Sequence, residues 1–306
     1  MNISSPEWHI EPISAGLIQA ERILSVLCDI QTEFQHVMIV DGECFGKSLI
    51  LDGKTQSTEL DEFVYHEGLV HPSMVSHTNP KNVLIVGGGE GATAREVLKY
   101  PGVEKVTMVD IDQKLVELCE KFLPNHHMDS FSDPRLDLYF SDALEFIESL
   151  NDRFDVAIID VPDPLEFGPA FQLFTVEFFD LLKQKLTMNG IMVIQAGATG
   201  PSFSEQCFTA VANTISQTFS SCAGYEIFVP SFGSTWGLVT ASDKINPAEN
   251  TEAFINEELA RQGIHDLKMY DGLSHKGMFQ LPKYTREGLI SETRVITKSN
   301  PIFTYQ

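Results

Sequence analysis

The 306-residue sequence predicts an α/β fold in which a small N-terminal antiparallel β domain precedes a doubly wound, largely parallel sheet. Two changes of pattern support this prediction. Over residues 17–56, short β-rich runs are separated by turn signals, including the hairpin pairs Asp41-Gly42 and Asp52-Gly53. From Asn82 onward, continuous apolar runs alternate with segments of helical periodicity, which is typical of parallel strands buried between helices.

The first domain is predicted from three β-rich runs, "RILSVLCDI", "HVMIVDGE" and "KSLILDGK". A helical stretch, "ELDEFVYHEGLVHP", follows them and leads to Pro72. We therefore expect a β domain over residues 1–64 and a larger α/β domain over residues 65–306.

The second domain is predicted to have five parallel strands: "VLIV" (Val83–Val86), "VTMVDID", "LDLYFSD", "DVAIID" and "IMVIQAG". The helices between them are "TAREVLKY", "QKLVELCEKFL", "ALEFIESL" and "FTVEFFDLLKQKL". Two later runs, "YEIFVPSF" and "TWGLVTASD", are too close together for a helical crossover, so we expect them to pair in antiparallel fashion.

Charge and composition exclude several classes of protein. The chain has 21 basic and 43 acidic residues, and its net charge of −22 argues against a nucleic-acid partner because phosphates would be repelled. The same charge would attract a cationic ligand, although a solubilising surface is the more ordinary explanation of it. Five scattered cysteines without a CxxC pair indicate reduced thiols, and we expect no metal site.

The sequence also lacks signs of a membrane or secretory protein. No apolar run is long enough to span a bilayer, so no membrane association is expected. The N-terminal stretch "MNISSPEWHIEP" has neither the basic nor the apolar region of a signal peptide. A cytoplasmic location is therefore predicted.

Acidic residues stand at the ends of the predicted parallel strands. The first strand runs into "VGGGEGATARE", where Glu90 lies among glycines at positions 87, 88, 89 and 91. The second ends at Asp110, the third at Asp142, and the fourth at Asp160 with Asp163 close behind. Because ligands bind outside the carboxyl ends of such strands, these acids are predicted to surround one pocket.

Alternative interpretations of these motifs exist. Gly87-x-Gly89-x-x-Ala92 fits a dinucleotide fingerprint, Asp142 could be a helix N-cap, and Asp163 could belong to an ordinary Asp-Pro turn. A carboxylate at Glu90, however, would face the pyrophosphate of a dinucleotide. It suits a nucleoside with a positive tail, such as an S-adenosyl nucleoside whose sulfonium arm points at Glu90.

Three long stretches resemble the polyamine aminopropyltransferases, the spermidine, spermine and thermospermine synthases. They are "LDGKTQSTELDEFVYHEGLVHP", "VLIVGGGEGATAREVLKYPGVEKVTMVDID" and "DVAIIDVPDP", and the tail "ETRVITKS" is similar to the thermospermine-synthase branch. The resemblance implies a methyltransferase-like Rossmann domain and an N-terminal domain that covers the active site and forms a homodimer or homotetramer. It also implies decarboxylated S-adenosylmethionine as a co-substrate, with no further cofactor.

The resemblance assigns roles residue by residue. Asp160 is expected to be the catalytic base. Donor binding is expected from Gln35, Gly87, Gly89, Glu90, Asp110 and Asp142. Acceptor binding is expected from Gln56, Tyr65, His66 and Asp163. Two positions depart from the usual pattern: His66 replaces a common glutamine, and Phe232 replaces a usual tyrosine and is predicted to pack in the core.

Other functions stay open at this stage. An S-adenosylmethionine methyltransferase shares the predicted fold, but the α-carboxylate of its co-substrate should be repelled by Glu90. A nucleotide-dependent dehydrogenase needs no second aspartate beside Asp160. An inactive relative would be expected to have lost Asp160 or Glu90, and both are present. The "YHE" triplet, the glutamate in "GGGEG" and the tail resemble the thermospermine-synthase branch, which predicts spermidine as the acceptor and thermospermine or spermine as the product. The "YHE" and "GGGEG" motifs also resemble enzymes that act on putrescine or agmatine.

Overall fold

The computed structural model describes residues 7–166, 168–203 and 206–304, and these form two sheets joined by a long helix. The N-terminal sheet is an antiparallel meander in the order β1-β2-β3-β4-β5. Its strands are β1 (Trp8–Ser14), β2 (Leu17–Gln31), β3 (His36–Gly42), β4 (Gly46–Leu51) and β5 (Lys54–Thr58). Strand β1 lies before the region in which strands were predicted.

One of the two predicted hairpin turns is confirmed and the other is displaced. Asp52 and Gly53 connect β4 to β5 with φ angles of 49° and 78°, as a two-residue hairpin turn of this hand requires. The turn predicted at Asp41-Gly42 was wrong, because both residues still belong to β3 and Gly42 pairs with Gly46 of β4. The connection falls at residues 43–45.

Helix α1 (Glu62–His77) leads from the first sheet to the second and continues through Pro72. A proline inside a helix leaves the carbonyl four residues earlier without its usual N–H donor. Here that carbonyl belongs to Gly68, and the hydroxyl of Tyr225 donates to it at 2.9 Å. A side chain far along the chain therefore replaces the missing bond. The predicted domain boundary, residue 64, falls in the first turn of α1.

The second sheet has seven strands in the order β11-β12-β10-β9-β6-β7-β8. They are β6 (Asn82–Gly87), β7 (Lys105–Asp110), β8 (Leu136–Phe140), β9 (Phe154–Asp160), β10 (Leu186–Ala198), β11 (Ser221–Val229) and β12 (Ser234–Ser242). The five central and outer strands β10-β9-β6-β7-β8 are parallel, and β12 is antiparallel to both β10 and β11. The predicted α/β class and the antiparallel final pair are confirmed.

Helices cover both faces of this sheet. They are α2 (Ala92–Leu98), α3 (Gln113–Phe122), α4 (Pro124–His127), α5 (Ala143–Ser149), α6 (Val176–Lys185), α7 (Phe208–Ser216), α8 (Glu252–Gln262), α9 (Gly272–Met278) and α10 (Lys283–Ser291). Five of these helices, α4, α7, α8, α9 and α10, were not predicted from the sequence. None of the helices in the described ranges is long and apolar enough to cross a bilayer.

Alternate residues of the central strands enter different cores. Leu84 and Ile159 belong to the cluster that packs against α6 and α7, whereas Ile85 and Ile158 belong to the cluster beneath α1. Because both faces are buried, the strands are continuously apolar. A third cluster joins the N-terminal sheet to α3. The carboxyl ends of the parallel strands consequently face the β domain.

Candidate active site

A cavity of about 220 Å³ opens at the carboxyl ends of the parallel strands, between the two sheets. The cavity lies beside the adjacent strands β6 and β9. From β6 the chain continues to β7 and β8 on one side of the sheet, and from β9 it continues to β10 on the other side, so this is the topological switch point at which ligands are expected to bind. Ten of the eleven predicted site residues line it: Gln35, Gln56, Tyr65, Gly87, Gly89, Glu90, Asp110, Asp142, Asp160 and Asp163.

The glycine-rich loop is fastened to the end of β9. Gly87 and Gly88 have φ angles of 80° and 75°, and the Gly88 amide donates to the Asp160 carbonyl at 2.8 Å. A Cβ atom at Gly87 would lie 2.1 Å from the same carbonyl oxygen. Only glycine fits there, and the close approach places the Asp160 side chain beside the loop.

Asp160 is buried and accepts two hydrogen bonds from side chains. The hydroxyl of Tyr65 donates to Oδ1 at 2.8 Å, and the hydroxyl of Thr93 donates to Oδ2 at 2.5 Å. Burial, followed by the nearby charge of Glu90, raises the pKa of Asp160 to about 6, while His66 and the two hydroxyls partly offset the rise. Asp160 is thus ionised at neutral pH and more basic than an ordinary aspartate.

Asp163 is oriented by a residue that the sequence reasoning missed. The Gln195 side-chain amide donates to Asp163 Oδ1 at 3.2 Å, and the Gln195 oxygen accepts from Trp236 Nε1 at 3.1 Å. One sign of this role was present in the sequence, because Gln195 is the polar residue of the otherwise apolar strand "IMVIQAG". Burial raises the pKa of Asp163 to about 6.

On the opposite side of the cavity, Asp110 lies against the glycine loop. Its Oδ1 accepts from the Asp112 amide at 2.8 Å, and a Cβ atom at Gly89 would be 3.0 Å from its Oδ2. Burial and then the neighbouring acids raise the pKa of Asp110 to about 7. Gln35 reaches this region from the β domain, and its side-chain amide donates to Asp112 Oδ2 at 3.0 Å.

Asp142 is a helix N-cap and also lies on the cavity wall. Its Oδ1 accepts from the amides of Leu144 and Glu145 at 2.9 and 3.1 Å, which caps helix α5. The residue also lines the cavity. The capping bonds fix the carboxylate at the cavity wall, so the two interpretations do not compete.

His66 does not line the cavity, and its contact with the acceptor stays a prediction. The side chain is completely buried behind Glu90: Nε2 lies 3.1 Å from Glu90 Oε1, and Nδ1 lies 2.8 Å from Glu62 Oε2. Burial alone would lower the pKa of His66, but hydrogen bonds to both carboxylates raise it to about 10. The imidazole is therefore protonated at neutral pH.

His66, Glu90 and Asp160 present nitrogen or oxygen atoms within 4.8 Å of one another, a spacing that a metal ion could also use. Of the two carboxylates, Glu90 pairs with His66, whereas Asp160 accepts from Tyr65 and Thr93. Both carboxylates line the cavity, and their charge suits a cation.

Phe232 packs against the core cluster beneath α1, as predicted, and also lines the cavity. Its ring contacts those of Tyr65 and Trp236, with centroids 5.7 and 4.8 Å apart. Asp61 fixes the turn that carries Phe232 by accepting from the amide and hydroxyl of Ser231 at 2.7 and 2.8 Å. Phe232 provides an apolar wall where a tyrosine hydroxyl would otherwise project.

Two charged residues of the β domain complete the cavity and were not predicted. Glu11, on β1, is buried and accepts from the Thr55 amide at 2.9 Å. Lys54 bonds through its ammonium to the carbonyl of Pro12. Both act on Asp163, whose pKa is raised chiefly by burial, lowered by Lys54 and raised further by Glu11. Glu11 was missed because no strand was predicted before residue 17.

The chain matches two family models. Residues 62–252 match the spermine/spermidine synthase domain, and residues 7–59 match the spermidine synthase tetramerisation domain. A polyamine aminopropyltransferase from Sulfolobus acidocaldarius is 42% identical over 97% of this chain and 98% of its own length. A protein of the same name from Synechococcus is 40% identical over 98% of this chain and 99% of its own length.

Solved structures agree with the sequence comparisons. A spermidine synthase in complex with the transition-state analogue AdoDATO superimposes with a TM-score of 0.85 at 30% identity, over 95% of this chain and 97% of that one. A spermidine synthase from Thermotoga maritima gives 0.82 at 30% identity, over 93% and 94% of the two chains. The chain belongs to the polyamine aminopropyltransferase family, the spermidine and spermine synthases, and is an aminopropyl-transferring enzyme.

Proposed function

We propose that this enzyme transfers the aminopropyl group of decarboxylated S-adenosylmethionine to spermidine and releases methylthioadenosine. The product is a tetraamine, thermospermine or spermine. The observation that carries the choice of acceptor is Glu11, a buried carboxylate of the β domain that lines the same cavity as Asp160 and Asp163.

The donor side of the cavity fits a nucleoside with a cationic arm. Asp110 and Asp142 are carboxylates placed for the hydroxyls and the base of an adenosine, with glycines allowing close approach. Glu90, whose carboxylate lies within 4.8 Å of that of Asp160, would hold an ammonium on the donor's propyl chain. An intact S-adenosylmethionine would bring a negative carboxylate to the same place, which disfavours the methyltransferase alternative.

The chemistry proposed is an in-line displacement at the propyl carbon bonded to sulfur. The lone pair of the acceptor nitrogen forms the new C–N bond, and the C–S bond breaks with its electrons passing to sulfur. The sulfonium becomes a neutral thioether, and the nitrogen loses a proton. Asp160 accepts that proton, and a positioned base of this kind contributes on the order of 10²–10⁴-fold.

A triamine fits the distribution of charge better than a diamine. With the attacking nitrogen beside Asp160, a second ammonium can pair with Asp163 and a third with Glu11, since each buried cation requires a carboxylate or carbonyl partner. Burial is the main cause of the raised pKa of Asp163, and the charge of Glu11 raises this pKa further, so the two carboxylates interact. The apolar wall at Phe232 suits the methylene chain between the ammonium groups.

The test compares kcat/KM for spermidine, putrescine and agmatine, with chromatographic identification of the tetraamine. We expect spermidine to be preferred, and Glu11→Gln to lower kcat/KM for spermidine while leaving putrescine nearly unchanged. Glu33→Gln, at an exposed position of the same domain, is the matched control. A clear preference for putrescine or agmatine would overturn the proposed acceptor while leaving aminopropyl transfer intact.

We also propose a homodimer or homotetramer formed through the β domain in a cytoplasmic enzyme. The support is the match to a tetramerisation domain and several exposed apolar side chains on β1 and β2, namely Ile10, Leu17, Ile18, Leu24 and Val26. Light scattering of the purified chain tests the assembly. A monomer at micromolar concentration would contradict it.

A further inference from the structure

Residues 292–304 follow helix α10 and contain neither a helix nor a strand, only a turn closed by Thr297 and Asn300. This segment begins with the stretch "ETRVITKS", and its last residue, Thr304, lies on the wall of the active-site cavity. An irregular segment keeps one conformation only if its contacts offset the conformational entropy that it loses. The contacts of residues 292–304 therefore show where the segment is held and what it holds in turn.

The first part of the segment is fastened to helices α7 and α6. The Asn213 side-chain amide donates to the Arg294 carbonyl at 2.8 Å, and the Ile296 amide donates to the Thr214 hydroxyl at 2.9 Å. The Ile296 carbonyl accepts from the amide of Val176, the first residue of α6, at 2.9 Å. The Ile296 side chain is fully buried in the core cluster that packs against these helices. These contacts fix the path of the segment across two helices.

The second part of the segment contacts the chain that follows β9 at two points. The Thr304 amide donates to the Pro164 carbonyl at 2.9 Å. The rings of Phe303 and Phe171 meet edge to face, with centroids 5.9 Å apart. Pro164 directly follows Asp163, which lines the cavity. The segment therefore acts on the main chain next to a carboxylate of the site.

Two distant parts of the chain hold the turn that carries Asp163. On β10, the Gln195 side-chain amide donates to the Val161 carbonyl at 2.9 Å and to Asp163 Oδ1 at 3.2 Å. The Thr304 amide supplies the hydrogen bond on the other flank of Asp163, at Pro164. A carboxylate that is already fixed in this way loses less freedom when it binds an ammonium, and binding is tighter for that reason.

We infer that residues 292–304 belong to the acceptor half of the active site, and that the main-chain amide of Thr304 is a positioning group for Asp163. The inference rests on the proposed function, in which Asp163 holds an ammonium of the acceptor. It assigns the segment no part in donor binding. The acids proposed for the donor, Asp110 and Asp142, follow β7 and β8, and these strands lie on the far side of β6 from β9.

Thr304→Pro tests the inference, because proline has no N–H to donate to the Pro164 carbonyl. Thr304→Ala is the matched control: it keeps the N–H and loses only the hydroxyl, which lies 3.5 Å from the same carbonyl. The measurements are kcat and KM for whichever of spermidine, putrescine and agmatine the wild type prefers. Calorimetric titration with decarboxylated S-adenosylmethionine gives the donor affinity of the same preparations.

A second pair of variants tests the ring contact. Phe303→Ala removes the ring that packs against Phe171, and Phe228→Ala removes an exposed ring on β11 that is absent from the cavity wall. We expect Phe303→Ala to raise the KM for the acceptor, and Phe228→Ala to leave it at the wild-type value. Equal KM values for these two variants would count against the segment.

For Thr304→Pro we expect the KM for the acceptor to rise about three- to tenfold relative to Thr304→Ala, as for the loss of one hydrogen bond. The donor affinity and kcat should stay close to those of the control. Equal KM values for Thr304→Pro and Thr304→Ala would overturn the inference. A parallel loss of donor affinity would also overturn it, because the segment would then support the whole cavity and not the acceptor half.

Failure of the proposed function gives a different result. If the wild type releases no methylthioadenosine from the decarboxylated donor with any of the three amines, the proposed function is wrong and the inference is lost with it. If the wild type turns over one of these amines while Thr304→Pro matches Thr304→Ala, only the role of the segment is overturned.

Discussion

The hydroxyl of Tyr65 and Oδ1 of Asp160 are joined by a 2.8 Å hydrogen bond between two distant parts of the chain. Tyr65 belongs to the first turns of α1, the helix that follows the β domain, and Asp160 ends β9 in the centre of the second sheet. The orientation of the base therefore depends on how α1 packs against the second sheet.

The first prediction concerns pH. Because burial raises the pKa of both Asp160 and Asp163 to about 6, kcat/KM should fall as the pH decreases through that value. Below it, Asp160 is protonated and cannot accept a proton, and Asp163 loses the charge that holds an ammonium. A kcat/KM profile from about pH 5 to about pH 9 reports these free-enzyme groups. A limb near about pH 4, the value of an unperturbed aspartate, would contradict the prediction.

The second prediction concerns selection of the donor by Glu90. Competition binding should show a much higher affinity for the decarboxylated donor than for intact S-adenosylmethionine. The reason is that unpaired like charges in a partly desolvated site cost several kcal/mol, roughly 2–5. Glu90→Gln should reduce this difference in affinity. Glu148→Gln, at an exposed position on α5, should leave the difference unchanged. Equal affinity of the wild type for the two compounds would refute selection by charge.

The third prediction concerns the strand end that carries Asp160. Gly87→Ala and Gly53→Ala both place a Cβ at a φ angle near 80°, which costs about 1–2 kcal/mol. At Gly53 nothing lies within 4 Å of the added atom, whereas at Gly87 it meets the Asp160 carbonyl. Denaturant unfolding should therefore show Gly87→Ala to be the more destabilising by about 1–3 kcal/mol. Similar unfolding free energies would mean that the loop can move away.

The parts of the fold that the sequence predicts are those governed by local pattern. Strands such as β6 and β9 are buried on both faces, so their apolar runs are continuous and recognisable. The acids at the strand ends are likewise predictable, because parallel strands bring their carboxyl ends to one edge of the sheet. Asp110, Asp142 and Asp160 line one cavity for this reason.

The features that were missed depend on partners far away in the chain. Helix α1 passes through Pro72 because Tyr225 supplies the donor that the proline lacks. His66 is turned from the cavity by Glu62 and Glu90, and nothing in the "YHE" triplet shows which way the ring points. Glu11 reaches the cavity only because β1 pairs with β2, and β1 has a weak strand signal of its own.

The central claim is that Asp160 accepts the proton of the attacking amine, and the variant Asp160→Asn tests it most directly. The amide keeps the shape of the side chain and can still bond to Tyr65 and Thr93, but it is not a base. Asp137→Asn, on the exposed outer strand β8, is the control.

Calorimetric titration with decarboxylated S-adenosylmethionine and a steady-state assay of methylthioadenosine release should be made on the same preparations. We expect Asp160→Asn to retain donor binding and to lose at least about 10²-fold in kcat, with Asp137→Asn like the wild type. Near-normal turnover of Asp160→Asn would contradict the assignment of the base.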